Sequence, residues 1–132
     1  MTKEQKTIVL TGASRGIGHA TVKRFSEDGW RVITCSRSSV PFKCPWSSGD
    51  ENHIEMDFTQ SDQVEIGAQK LIEKLNNKPL NALVNNAGIS PKDENGKRLN
   101  SLSTSTEIWK DVFQVNFFTP LLLARKLKTH LQ

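Results

Sequence analysis

After a charged start, the chain enters a β-branched run, TIVLT at 7–11, which predicts a buried strand. Ser14 can cap the helix expected after it. Over 16–28 the apolar residues Ile17, Ala20, Val22 and Phe25 recur at roughly helical spacing, and Gly29 ends the pattern. Residues 30–36 (WRVITCS) predict a second strand, and 37–52, with Pro41, Pro45 and a Ser-Ser-Gly, predict a loop. A third, short strand is expected at 53–57 (HIEMD). Residues 61–76 predict a helix whose stripe is Val64, Ala68, Leu71, Ile72 and Leu75, and Pro79 breaks it. A fourth strand follows at 80–85 (LNALVN). The polar stretch 88–103, with Pro91 and Gly96, predicts a surface loop. Thr104 with Glu107 three residues later matches a capping box for a helix running through Phe117. Pro120 suits the first turn of another helix, with Leu121, Leu127 and Leu131 among its apolar residues. Arg125, Lys126, Lys128 and His130 fall near its C-terminus, where they suit the helix dipole.

The predicted order is β-α-β-loop-β-α-β-α-α. Strands alternating with helices predict an α/β fold with a doubly wound parallel sheet. The 132 residues fit one domain, 1–132. An open sheet covered on both faces is usually built from a longer chain, so the expectation is a domain incomplete at its C-terminal end.

Composition narrows the function classes. With 36% apolar and 24% charged residues the chain fits a soluble globular protein. A net charge of +4 favours anionic ligands. The 18 Lys and Arg are spread without a basic run or aromatic interleaving, so nucleic acid is not expected as a partner. Cys35 and Cys44 lie too far apart for a Cys-x-x-Cys motif and have no matching histidine cluster, which argues against zinc and fits a reducing compartment. The start MTKEQKTIVL has no h-region, and the longest apolar run, LLLA at 121–124, is far too short to span a bilayer. A cytoplasmic location without a membrane partner is expected. His19, His53 and His130 show no spacing for metal or nucleophilic catalysis, and Trp30, Trp46 and Trp109 are expected to pack.

The candidate chemistry lies in TGASRGIG at 11–18, between the first strand and the first helix. Gly12 would permit a tight turn off the strand. Gly16 and Gly18 would let the chain approach a ligand closely and let the helix pack on the sheet. The helix start then offers backbone N–H groups and a partial positive charge to an anion, and a pyrophosphate fits that description.

This motif resembles the cofactor-binding turn of the short-chain dehydrogenases/reductases. MDFT at 56–59, LVNNAGIS at 83–90 and QVNFF at 114–118 match the family in the same order, from Lys6 to about Leu131. The resemblance implies a Rossmann-like sheet of order 3-2-1-4, truncated after the fourth strand and its following helices. It implies a nicotinamide dinucleotide as ligand, held by Gly12, Ser14, Arg15, Gly16, Ile17, Gly18, Ser36, Arg37, Asp57, Asn85, Ala87 and Gly88. Family members read the adenosine ribose at the end of strand two. Here that position carries Ser36 and Arg37 and no acid, and a guanidinium suits a phosphate. With Arg15, this implies NADP(H) over NAD(H). Asp57 would accept from the adenine amino group; its plainer reading is a loop or helix cap. Asn116 matches the helix asparagine that holds a water in the family's proton relay; its plainer reading is a polar residue satisfying backbone.

The implied activity is hydride transfer between the nicotinamide and a small carbonyl or alcohol substrate. Family catalysis uses a serine and a Tyr-x-x-x-Lys, and the 132 residues contain no tyrosine. Of the catalytic set only Asn116 is matched. The expectation is the cofactor-binding half of such an oxidoreductase; the alternative is a non-catalytic NADP(H)-binding or interaction module. The apolar fourth strand is expected to be an open edge that invites pairing, including with a second copy of the chain. The leucine stripe of the last helix is expected to be partly uncovered.

Overall fold

The structure is a computed structural model that describes residues 3–39 and 50–132. The expected loop at 37–52 therefore lies largely outside the described residues, as do Cys44, Pro41, Pro45 and Trp46.

Four parallel strands form one sheet: β1 (Thr7–Thr11), β2 (Arg31–Ser36), β3 (His53–Glu55) and β4 (Ala82–Val84), in the order β3-β2-β1-β4. The doubly wound arrangement and the strand order agree with the expectation. The register places Thr11 beside Cys35, Leu10 beside Val84 and Thr34 beside His53. The sheet's two-residue period sorts the core into two layers. Val9, Ile33, Cys35 and Ile54 face one side, packed with the buried stripe Val64, Ala68, Leu71 and Leu75 of α2 (Ser61–Leu75). Ile8, Leu10 and Val32 face the other side, with Val22 of α1 (Gly16–Glu27). Trp30 packs edge-on against Phe25 at 5.0 Å between ring centroids, as a core-rim residue should.

Ile17 and Ala20 do not belong to the buried stripe of α1. Ile17 is 79% exposed; Val22 is buried as expected, and Gly18 faces inward with it. Ser14 is not the cap either: Arg15 holds the N-cap position, and no side chain caps the helix. Strands β3 and β4 are three residues each, shorter than the expected 53–57 and 80–85.

The C-terminal helices depart most from expectation. The capping residue of α3 (Thr106–Phe113) is Ser105, whose hydroxyl accepts from the Ile108 N–H at 3.3 Å. Thr104, expected in that role, instead donates to the Asn100 carbonyl at 2.6 Å. No break separates α3 from α4 (Thr119–Leu127). They join through one wide turn, Gln114–Phe118, in which the Thr119 N–H reaches back five residues to the Gln114 carbonyl. The leucine stripe is partly uncovered, as expected: Leu123 and Leu127 are fully buried beside α2, while Leu121 and Leu131 are exposed. The exposed apolar residues lie on another side of the same helix: Phe113, Phe117, Phe118 and Leu121.

The fourth strand is not wholly open. Leu80, just before β4, bridges Leu131 in parallel. The Leu80 N–H donates to His130 O at 2.8 Å, and the Gln132 N–H donates to Leu80 O at 3.0 Å. Residues 131 and 132 have thus left the helix and lie beside the sheet, not within the last helix as expected. Among the described residues no helix is long and apolar enough to cross a membrane.

Candidate functional site

The C-terminal ends of β1, β2, β3 and β4 open onto one cleft of about 740 Å³. That volume falls within the usual range of small-molecule and cofactor sites. The outward-directed ends of β1 and β4 diverge here into α1 and the 85–90 segment, the switch point where open α/β sheets bind ligands.

Gly12 is the hinge of the site. Its φ of +69° is a left-handed conformation that a side chain would strain, and an added Cβ would lie 2.8 Å from Ala87 Cα. Its N–H donates to Cys35 O at 2.9 Å, which ties the turn to β2. Its carbonyl accepts from Asn86 Nδ2 at 3.1 Å, and the Thr11 hydroxyl accepts from the Ala87 N–H at 3.1 Å, which tie it to the β4 segment. Gly18 stands behind this turn: a Cβ there would lie 2.7 Å from Asn86 Nδ2 and 2.8 Å from the Gly12 carbonyl carbon. The helix start is thereby pressed against the strand turn.

The first turn of α1 has no acidic residue and no side-chain cap, so its leading N–H groups face the cleft without an internal partner. Ser14, Arg15, Gly16 and Ile17 line this part of the cleft. The positive end of α1 and the Arg15 guanidinium make this wall electropositive. This is the space and charge that the pyrophosphate of a dinucleotide requires.

The opposite end is made by Ser36, Arg37 and Ser38 after β2 and by Asp57, Phe58 and Thr59 after β3. No acid follows β2. Asp57 Oδ1 accepts from the Thr59 hydroxyl at 2.7 Å and from the Thr59 N–H at 2.9 Å. These two bonds, with a smaller contribution from the nearby Arg37 guanidinium, hold the Asp57 carboxyl below its ordinary range against a weak opposing effect of burial. Asp57 thus caps its own loop through one oxygen while lining the cleft.

Ala87 and Gly88 also line the cleft, and Asn85 does not. Asn85 is exposed, and its neighbour Asn86 makes the bond to the glycine turn. Asn116, in the wide turn, lies behind the cleft wall. Its Oδ1 accepts from the Ile89 N–H and its Nδ2 donates to Ile89 O, both at 2.8 Å. Its side chain thus clamps the backbone of a cleft-lining residue. Ser38, Thr59, Asn86, Ile89 and Val115 were not singled out from the sequence. The signal for Asn86 is present in the paired asparagines, but only the path of the chain past the end of β4 decides which of two adjacent side chains reaches Gly12.

The cleft, its glycine turn and the strand order define a dinucleotide-binding α/β domain. Residues 6–132 match the short chain dehydrogenase family, and the chain belongs to that family. Protein FixR of Bradyrhizobium diazoefficiens is 48% identical over 127 residues, which cover 94% of this chain and 45% of FixR. An NADPH-dependent pterin aldehyde reductase of Arabidopsis thaliana is 29% identical, over 92% of this chain and 52% of its own length. Among solved structures, a short chain dehydrogenase/reductase family oxidoreductase from Brucella ovis, in complex with a partially ordered NAD, superposes with a TM-score of 0.90 and 55% identity. That match covers 96% of this chain and 58% of the Brucella protein. The chain thus spans about half the length of these relatives.

Proposed function

We propose that these residues are the cofactor-binding half of an NADP(H)-dependent oxidoreductase of the short-chain type. The parent protein would interconvert a carbonyl and an alcohol. The observation that carries the reading is the pairing of the glycine turn and the start of α1 at one end of the cleft with the arginine-bearing, acid-free stretch 36–38 at the other. The two glycines let the strand turn close on Ala87 and Asn86 and let the start of α1 press against that turn, since a Cβ at either would collide with those groups, and this brings the first turn of α1 to the cleft. Arg37 can serve a 2′-phosphate as a charged fork, while the Ser36 hydroxyl donates to the Ser38 carbonyl at 2.7 Å and supports the backbone beside it. An acid there would bond a free 2′-hydroxyl and repel the phosphate. The Brucella relative's NAD leaves this preference to be decided by the residues themselves, and Arg37 and Arg15 favour the phosphorylated cofactor.

When bound, the dinucleotide supplies the hydride donor or acceptor. The chain's own residues bind and orient it: α1 holds the pyrophosphate, Arg37 and Asp57 hold the adenosine end, and Gly88 and Ile89 wall the nicotinamide side. Asn116 keeps that wall in place. A proton donor for carbonyl reduction is not supplied by a tyrosine among these 132 residues, so we assign the acid/base to residues outside them.

Thermal unfolding with and without cofactor tests the reading. A ligand at 100 times its dissociation constant adds about 2.7 kcal/mol to a protein that binds it only when folded. For a chain of this length that corresponds to roughly 9 °C. NADPH is expected to raise the melt further than NADH at equal concentration. Equal shifts, or a larger one with NADH, would remove the 2′-phosphate assignment; no shift with either would remove cofactor binding.

A further inference from the structure

The histidine that opens β3 is built into the loop that carries Arg37. His53 sits beside Thr34 in the β2–β3 register, and its ring spans two elements. Nδ1 lies 2.7 Å from Thr34 Oγ1 on the strand. Nε2 lies 2.9 Å from the Ser38 carbonyl oxygen and 3.2 Å from Ser36 Oγ, both past or at the strand's end. A carbonyl oxygen only accepts, so the bond to Ser38 requires the proton on Nε2. The same carbonyl accepts from the Ser36 hydroxyl at 2.7 Å. Two donors, one from β2 and one from β3, therefore fix the Ser38 carbonyl, and Arg37 lies between Ser36 and the carbonyl so held. Ser36, Arg37 and Ser38 all line the cleft.

We propose that His53 is a positioning residue for recognition of the adenosine ribose: its Nε2–H, bonded to Ser38 O, sets the backbone from which Arg37 reaches a 2′-phosphate. The proposal rests on the NADP(H) reading of the cleft. The bond survives a change in the ring's charge. In the neutral form Nδ1 accepts from Thr34, and in the cation it donates to Thr34, whose hydroxyl can then turn to Asn52 O at 3.4 Å.

The amide nitrogen of glutamine stands near the Nε2 position of histidine, and that of asparagine stands near Nδ1. The two substitutions therefore separate the loop bond from the strand bond. The probes are adenosine 2′,5′-bisphosphate and adenosine 5′-monophosphate, titrated calorimetrically into the wild-type chain and into His53→Gln, His53→Asn and His53→Leu. Wild type and His53→Gln are expected to favour the bisphosphate by the same factor. His53→Asn and His53→Leu should lose about three- to tenfold of that preference, the range that one net hydrogen bond can shift, with monophosphate affinity unchanged. An unchanged preference in all three variants overturns the role of His53 and leaves the NADP(H) reading standing. Rescue by asparagine rather than glutamine overturns it too, by assigning the effect to Thr34. A wild-type chain with no preference removes the NADP(H) reading and the proposal together. One measurement needs no variant: nitrogen-15 chemical shifts of neutral His53 should place its proton on Nε2, and a proton on Nδ1 alone would sink the clamp.

Discussion

Replacing Gly18 with alanine probes how closely α1 is pressed onto the turn after β1. The new Cβ would stand 2.7 Å from Asn86 Nδ2 and 2.8 Å from the Gly12 carbonyl carbon, and closer still to the carbonyl oxygen. Comfortable carbon contacts lie near 3.5–4.0 Å. The first turn of α1 must therefore withdraw by something approaching an ångström, or the Gly12 carbonyl must rotate away. Either movement strains the 3.1 Å bond from Asn86 to Gly12 O. Overpacking of this kind costs about 1–3 kcal/mol, and loss of the bond adds about 0.5–1.5 kcal/mol. Alanine's advantage over glycine inside a helix returns about 0.5–1 kcal/mol. The net expectation is a destabilisation of about 0.5–4 kcal/mol by these principles, centred near 2, or a fall in Tm of about 2–14 °C. NADPH affinity should fall at least tenfold, because the displaced groups are the ones that approach the ligand. Gly29→Ala is the control. Gly29 has a φ of +80° with nothing within 4 Å of its added Cβ, and it lies past the far end of α1. That variant should lose about 1–2 kcal/mol to backbone strain and bind NADPH as before. The assay is urea unfolding paired with NADPH titration. A Gly18→Ala protein as stable as wild type, with unaltered binding, would refute the close-approach argument.

Three further outcomes are expected. Arg37→Ala should weaken NADPH binding about tenfold or more, as loss of a charge-assisted bond implies, and leave NADH binding nearly unchanged; equal losses for both would take Arg37 out of 2′-phosphate recognition. Asp57 has a folded-state pKa below its ordinary 3.8. Its stabilising contribution is therefore present above about pH 4 and is lost as pH falls through the lowered value. Asp57→Asn should be less stable than wild type at pH 6, with the gap closing toward pH 2.5, and a constant gap across that range would contradict the sign. The Cys35 thiol is completely buried and pushed up to about 12. At pH 8 the peptide containing Cys35 should resist alkylation until urea unfolds the chain; rapid labelling of the folded protein would show that the β2 layer is not closed.

The sequence displayed its strands and their order well, because parallel strands buried on both faces read as continuous β-branched runs. TIVLT and RVITC are of that kind. It displayed the glycine turn for a related reason: Gly12 and Gly18 are required by contacts that no other residue satisfies. What it hid depends on contacts between distant segments. Ile17 fits a helical stripe by spacing, yet the helix is rotated so that Gly18 meets the strand turn and Ile17 faces the cleft. Ser105 and Thr104 are equally good caps in isolation, and the Asn100 carbonyl claims Thr104. Asn85 and Asn86 are indistinguishable by type, and only the path of the chain past β4 separates them. His53 showed no motif at all, because its partners Thr34, Ser36 and Ser38 sit 15 to 19 residues before it and meet it only through the β2–β3 register.

The wide turn at Gln114–Phe118 has a consequence for the helix as a ruler. Val115, Thr119, Leu123 and Leu127 are all buried, four residues apart each time. A regular α-helix repeats every 3.6 residues, so four-residue steps drift steadily around its axis. The wide turn takes in a surplus residue and absorbs part of that drift, which keeps Val115 in line with the core positions beyond it. It also frees Asn116 to project sideways to Ile89, while the Thr119 hydroxyl donates to Phe58 O at 2.8 Å. Deleting a residue of the wide turn other than Asn116 would restore a regular helix and force a choice. Either the leucines keep their places beside α2 and the cleft wall loses its clamp, or the clamp is kept and the leucines turn toward water.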